Sequence, residues 1–146
     1  MKRKIYLIGS LRNPDIQELA ERLREDGHEV FDDWYAAGEK ADDYWQAYEQ
    51  TRGRTYVEAI NGVHAVAAFN VDKTWLDWCD TGVLVLPAGK SGHLELGYLR
   101  GQGKICHILM ETWPERYDLM YRFADGIWPR YEDLAEALRH GDFNVR

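Results

Sequence analysis

Leu86-Pro87-Ala88-Gly89-Lys90-Ser91-Gly92-His93-Leu94-Glu95-Leu96-Gly97 is the stretch whose reading decides the fold. Before it, Gly82-Val83-Leu84-Val85-Leu86 is a short apolar run bounded by breakers, the pattern of a central parallel strand. The glycines that follow let the backbone turn into a helix expected from about Gly92 to Gly101. Glu95 then falls in the first turn of that helix. In an open parallel sheet, ligands bind beyond the carboxyl ends of the strands, so Glu95 stands at the expected mouth of a site. The helix macrodipole alone also favours acids in a first turn, which leaves a purely electrostatic role open. Its neighbours Leu94, Leu96, Gly97 and Tyr98 are more apolar than a solvated charge needs.

Working outward, Lys4-Ile5-Tyr6-Leu7-Ile8 reads as a first buried strand, followed by the loop Gly9-Ser10-Leu11-Arg12-Asn13-Pro14. An amphipathic helix is expected from about Asp15 to Glu25, with Ile16, Leu19, Ala20 and Leu23 on one face. Gly27 ends it and His28-Glu29-Val30-Phe31-Asp32 forms a second strand, which implies a parallel crossover. The aromatic and acidic loop from Asp32 to Lys40 includes Trp34, a candidate substrate contact that could equally pack on the core.

From about Asp42 to Ile60 the chain is helical in composition, broken or bent at Gly53, with Tyr44, Trp45, Tyr48, Tyr56, Val57 and Ile60 offering a buried or pocket-lining stripe. His64 to Phe69 reads as a strand or a helix end. Asn70-Val71-Asp72-Lys73 is expected to cap a helix running to Asp80, so Asp72 is an N-cap, a catalytic partner, or both. Further strands are expected at Ile105 to Leu109 and Gly126 to Trp128. A short helix from Pro114 to about Phe123 and a closing helix from Tyr131 to His140, with Leu134, Ala135 and Leu138 inward, complete the alternation.

A length of 146 residues fits one domain, residues 1–146, able to enclose a core. Forty-five per cent hydrophobic residues, with six Trp and nine Tyr, exclude a disordered chain. A net charge of −7 argues against a nucleic-acid polymer, because nonspecific binding needs clustered Lys and Arg; a small nucleotide remains compatible. Cys79 and Cys106 lack metal-site spacing and read as core thiols, so no metal and no cofactor is expected. The basic start Met1-Lys2-Arg3-Lys4 leads into neither a secretion signal nor a membrane span, and the expectation is a soluble protein of the reducing cytoplasm.

Tyr6 to Arg12, Asp72, and Ser91 to Glu95 converge on one crevice in this arrangement. A Glu with a nearby Asp is a pairing that glycosidic chemistry uses. No G-x-x-x-x-G-K-[ST] loop occurs, no G-x-G-x-x-G follows either strand, and Ser10 lacks a G-x-S-x-G elbow.

With these pieces in order, the chain resembles the nucleoside 2-deoxyribosyltransferase superfamily, including its deoxynucleoside 5′-monophosphate N-glycosidases. The resemblance rests on Lys4 to Arg12, on Asp72-Lys73-Thr74-Trp75-Leu76 through Asp80 and Val83-Leu84-Val85, and on Gly92-His93-Leu94-Glu95-Leu96-Gly97 with Gly103-Lys104. The alternation of elements implies a Rossmann-like (flavodoxin-like) α/β sandwich of about five mostly parallel strands with helices on both faces. The resemblance implies Glu95 as the nucleophile that takes sugar C1′ into a covalent ester, Tyr6 as its hydrogen-bond partner, and Asp72 in the acid/base step. Gly9 and Ser10 resemble the loop that approaches the sugar or its phosphate.

Enzymes of the family acting on free nucleosides carry an aspartate shortly before the nucleophile. Here Gly89-Lys90-Ser91-Gly92 stands there instead. Glycine, serine and lysine would accept a phosphate that an acid would repel, with Arg12 adding charge, so a nucleotide is favoured over a nucleoside. The expected activity is cleavage of the N-glycosidic bond of a (deoxy)nucleoside or its 5′-monophosphate, with transfer to water or a second base. A noncatalytic nucleotide-binding or sensing domain is the competing class. The resemblance also implies a homo-oligomer, a dimer or larger.

Overall fold

The structure, a computed structural model, describes residues 1–141. Its centre is a five-stranded sheet in the order β2-β1-β3-β4-β5, with every neighbouring pair parallel. The strands are β1 (Lys4–Ile8), β2 (Glu29–Phe31), β3 (Thr81–Val85), β4 (Ile105–Leu109) and β5 (Gly126–Trp128). The helices are α1 (Ile16–Glu25), α2 (Ala41–Thr51), α3 (Tyr56–Ile60), α4 (Val63–Trp78), α5 (Lys90–Gly101) and α6 (Tyr131–His140). Short 3₁₀ turns lie at Asp33–Ala37 and Leu119–Phe123.

The period of two along each strand sorts side chains between two cores. On one face, Ile5, Leu7, Val83 and Val85 meet Ile16, Leu19, Ala20 and Leu23 of α1 and Leu134, Ala135 and Leu138 of α6. On the other, Tyr6, Ile8, Leu84 and Ile108 meet Leu76 of α4 and Leu96 and Leu99 of α5. The inward faces of α1 and α6 are those read from the sequence, as are the buried Cys79 and Cys106. Tyr6 therefore points to the same face as α4 and α5, between Phe31 and Gly82 in register.

The sequence reading differs from the structure in several elements. His64 to Phe69 and Asn70 to Trp78 form one sixteen-residue helix, capped at Gly62, so Asp72 lies in its interior and is not an N-cap. A run without breakers propagates helix through the point where Asn70 suggested a start. The aromatic stripe of residues 44–60 is not core: Tyr44, Tyr48, Tyr56, Val57 and Ile60 are exposed, and only Trp45 is partly covered. Between Pro114 and Phe123 only Leu119–Phe123 is helical, as a 3₁₀ turn opened by Asp118 accepting from the Met120 amide. Among the described residues, no helix is long and apolar enough to cross a membrane.

Candidate active site

Tyr6 lies in the middle of β1 with 1 % of its surface exposed, and its hydroxyl donates to Glu95 Oε2 over 2.8 Å. Glu95 comes to it because α5 starts at Lys90, earlier than the sequence suggests, with Gly89 as an extended N-cap. That places Glu95 in the second turn, where the first-turn dipole argument does not account for it. Gly92 sets the depth of the helix: a Cβ there would lie 3.1 Å from both Ile8 Cγ2 and Leu84 Cδ1. Its absence lets the first turn of α5 settle on β1 and β3.

Asp72 of α4 completes the group. Its charge acts on both Tyr6 and Glu95, and it has no hydrogen-bond partner among the described residues. Burial pushes the Glu95 carboxyl up to about 7; the Tyr6 hydroxyl pulls back against that rise and the Asp72 charge adds to it. Burial also raises Asp72. Tyr6 is driven well above the usual phenol range, by burial first and then by the two carboxylates. The result is a pair of carboxyl groups with displaced protonation, one held by a neutral phenol and the other unpartnered. Such an arrangement suits a nucleophile beside a proton donor.

Phe31 and Trp75, which the sequence reading did not propose as site residues, form the wall behind Tyr6. The Phe31 ring lies 5.1 Å from Tyr6 and stacks on Trp75 at 4.7 Å, with 10° between the planes. Trp75 sits one helical turn after Asp72, so a continuous α4 would have announced it on the Asp72 face.

The remaining candidates divide. Ser91 is exposed at the second position of α5, and Gly89 has open space where a Cβ would stand. Both face the helix N-terminus, where free backbone N–H groups favour an anion. Ser10 Oγ accepts from the Arg12 amide within its own loop. Arg12 is 71 % exposed at its side chain and 3.9 Å from Asp43 of α2. Gly9 and Trp34 are engaged in packing. A Cβ on Gly9 would meet Ile16 Cδ1 at 2.7 Å, and the Trp34 indole donates to the Leu7 carbonyl at 2.8 Å, just past the end of β2.

A cavity of about 660 Å³ opens at the carboxyl ends of β3 and β4, lined by Asn13, Asp15, Leu86, Met110 and Tyr121 among others. Tyr6, Asp72 and Glu95 are not among its lining residues. Tyr121, which lines the cavity, reaches α5 through His93. His93 Nδ1–H donates to the Gly89 carbonyl at 2.7 Å, which leaves Nε2 to accept from the Tyr121 hydroxyl at 2.8 Å. Among the described residues, no group of three or more His, Cys, Asp or Glu is placed to hold a metal ion.

No family model matches the chain, and no curated protein matches it. Solved structures do. A 2-deoxyribosyltransferase from Bacillus psychrosaccharolyticus aligns over 92 % of this chain and 90 % of its own, with a TM-score of 0.59 and 17 % identity. A CMP N-glycosidase from Clostridium botulinum, BcmB, aligns over 95 % of this chain and 99 % of its own, with a TM-score of 0.54 and 16 % identity. At these identities the likeness is one of fold. The chain is built as a 2-deoxyribosyltransferase and a CMP N-glycosidase are built, in keeping with the resemblance its own residues carry to the nucleoside 2-deoxyribosyltransferase superfamily.

Proposed function

We propose that the protein cleaves the N-glycosidic bond of a (deoxy)nucleoside or its 5′-monophosphate through a glycosyl ester on Glu95. The observation that carries this reading is the part-buried hydrogen bond from Tyr6 to Glu95 Oε2, with Asp72, which has no hydrogen-bond partner among the described residues, acting on both. In the first step Glu95 Oε1 attacks C1′, the C1′–N bond breaks with its electron pair going to the base, and the base takes up a proton by way of the Asp72 carboxyl, which burial raises. In the second, water or another base attacks C1′, the ester C–O bond breaks back to Glu95, and Asp72 recovers a proton. Tyr6 holds one carboxylate oxygen so that the other is presented to the sugar.

A nucleotide is favoured over a nucleoside. Gly89, Lys90 and Ser91 put an amide-lined helix start and a free hydroxyl close to the carboxylate pair. The similarly folded BcmB is by name a CMP N-glycosidase. Arg12, paired with Asp43 in solvent, supports a phosphate site less than Ser91 does.

The protein is also proposed to act as a homo-oligomer in the reducing cytoplasm. The helices leading to Asp72 expose Tyr56, Val57, Ile60, Val63, Val66 and Phe69, large apolar side chains of the kind that contacts between copies cover. Both cysteines are free and buried, as a reducing compartment allows. Incubation with a panel of nucleosides and 5′-monophosphates, with free base detected by chromatography, tests the activity. Ligand binding without base release would assign the fold to a noncatalytic nucleotide-binding domain.

A further inference from the structure

The helix that carries Asp72 makes its apolar contacts through its C-terminal half, where Leu76 is buried and Trp75 and Trp78 pack against the same core. Of the sixteen residues of α4 only Leu76 is buried, and Val63, Val66, Phe69 and Val71 are exposed. Its attachment to α5 is polar and concentrated at its C-terminal end. From α5, the Tyr98 hydroxyl donates to Asp77 Oδ1, while within α4 Lys73 donates to Asp77 Oδ2 at 2.9 Å. Gln102 Nε2 donates to Asp77 Oδ1 at 3.3 Å and to the Tyr98 hydroxyl at 3.1 Å. Past the end of α5, Lys104 Nζ donates to the carbonyls of Leu76 at 2.7 Å and Asp77 at 2.9 Å. These carbonyls lie in the last turn of α4, which has no intrahelical donors left for them and where a cation is favoured.

The geometry points to Tyr98 and Lys104 as positioning residues that set the place of Asp72 on α4 against Glu95 on α5. Tyr98 is one turn after Glu95, and Asp77 lies on the helix that carries Asp72, so the clamp ties together the two helices whose carboxyl groups must act as a pair. Neither residue meets Tyr6, and neither is part of the reacting group. The hydrogen bonds from Tyr98 and then Lys73 hold the Asp77 carboxyl down at about 2, so the clamp stays charged across the working range. The inference rests on the reading of Asp72 and Glu95 as the working pair.

The test uses the full-length protein with ¹³C-labelled glutamate side chains and follows the Glu95 carboxyl titration by NMR, which needs no turnover. The ionisable groups facing Glu95 are Tyr6 on β1 and Asp72 on α4, with Cys79 beyond Tyr6. Tyr98→Phe keeps the ring, and Lys104→Met keeps most of the side-chain length, so the second variant serves if the first fails to fold. Either is expected to lower the Glu95 midpoint by about half a pH unit, because the raising charge of Asp72 has moved away. In an Asp72→Asn background the same substitutions should leave the midpoint unchanged, the coupling having been removed.

With a substrate that releases base, kcat should fall on the order of tenfold while KM changes less than about twofold. An unmoved midpoint in both variants, or an equal shift in the Asp72→Asn background, overturns the positioning role. A wild type that releases no base from any substrate overturns the glycosidic reading, and the titration still decides the clamp.

Discussion

Tyr6 and Glu95 stand 89 positions apart in the chain and meet through one hydrogen bond of 2.8 Å, hydroxyl to carboxylate oxygen. Tyr6 is fixed by the pleat of β1, and Glu95 by the close seating of α5 that Gly92 permits. Tyr6→Phe keeps the ring against Phe31 and removes only the donor. Hydrogen bonds to charged groups contribute about 1.5 to 3 kcal/mol, so single-turnover base release should slow by roughly 10- to 100-fold. The hydroxyl also lowers the Glu95 pKa, so its loss should move the acid limb of the rate profile to higher pH. An unchanged rate and limb would reduce Tyr6 to a packing role.

A nucleophilic Glu95 must be ionised, and burial holds it up to about 7. The acid limb of the kcat/KM profile should therefore rise with pH through about 7. Stability runs the other way. The folded state keeps the proton that an unfolded glutamate, near 4.5, has already lost, so this group makes folding less favourable as pH rises from about 4.5 to 7. Glu95→Gln should raise Tm at pH 8 and change it little at pH 4; calorimetry at the two pH values reads the difference.

The phosphate reading separates Ser91 from Arg12. Ser91→Ala should lower kcat/KM for a 5′-monophosphate by about tenfold and leave the matching nucleoside nearly unaffected. Arg12→Ala should change it less than about threefold, since the guanidinium is solvated beside Asp43. A nucleoside preference that neither substitution alters would remove the phosphate site.

Val63 is 82 % exposed and Phe69 64 %, on the helix that leads to Asp72. Stable dimers bury about 800 Å² per partner, and these side chains would lie inside such a contact. Analytical ultracentrifugation should find an oligomer for the wild type and a folded monomer for Val63→Asp with Phe69→Glu. A wild-type monomer at micromolar concentration would contradict the assignment.

Much of this architecture is legible in the residues. The apolar runs of β1 and β3, and the spacing of Ile16, Leu19, Ala20 and Leu23, state their own periods, and the structure follows them. The pairing of Tyr6 with Glu95 is legible only through resemblance, because local pattern carries no information about contacts 89 positions away. Asp72 misleads because Asn70 and Asp72 look like caps while the helix propagates through them from Gly62. The aromatics from Tyr44 to Ile60 mislead for another reason: periodicity reveals an apolar face, but not whether the same chain covers it. Trp34 and Gly9 read equally as ligand contacts or as packing, and only the Leu7 carbonyl and the Ile16 side chain beside them show what they hold.

The central claim is that Glu95 is the nucleophile, and base release by Glu95→Gln tests it most directly. The amide keeps the shape and can still accept from Tyr6, so the fold should persist, as circular dichroism and Tm would verify. With the nucleotide or nucleoside that wild type cleaves fastest, the account predicts a loss of about 10³-fold or more in single-turnover base release. A folded Glu95→Gln protein that releases base at close to the wild-type rate would contradict it.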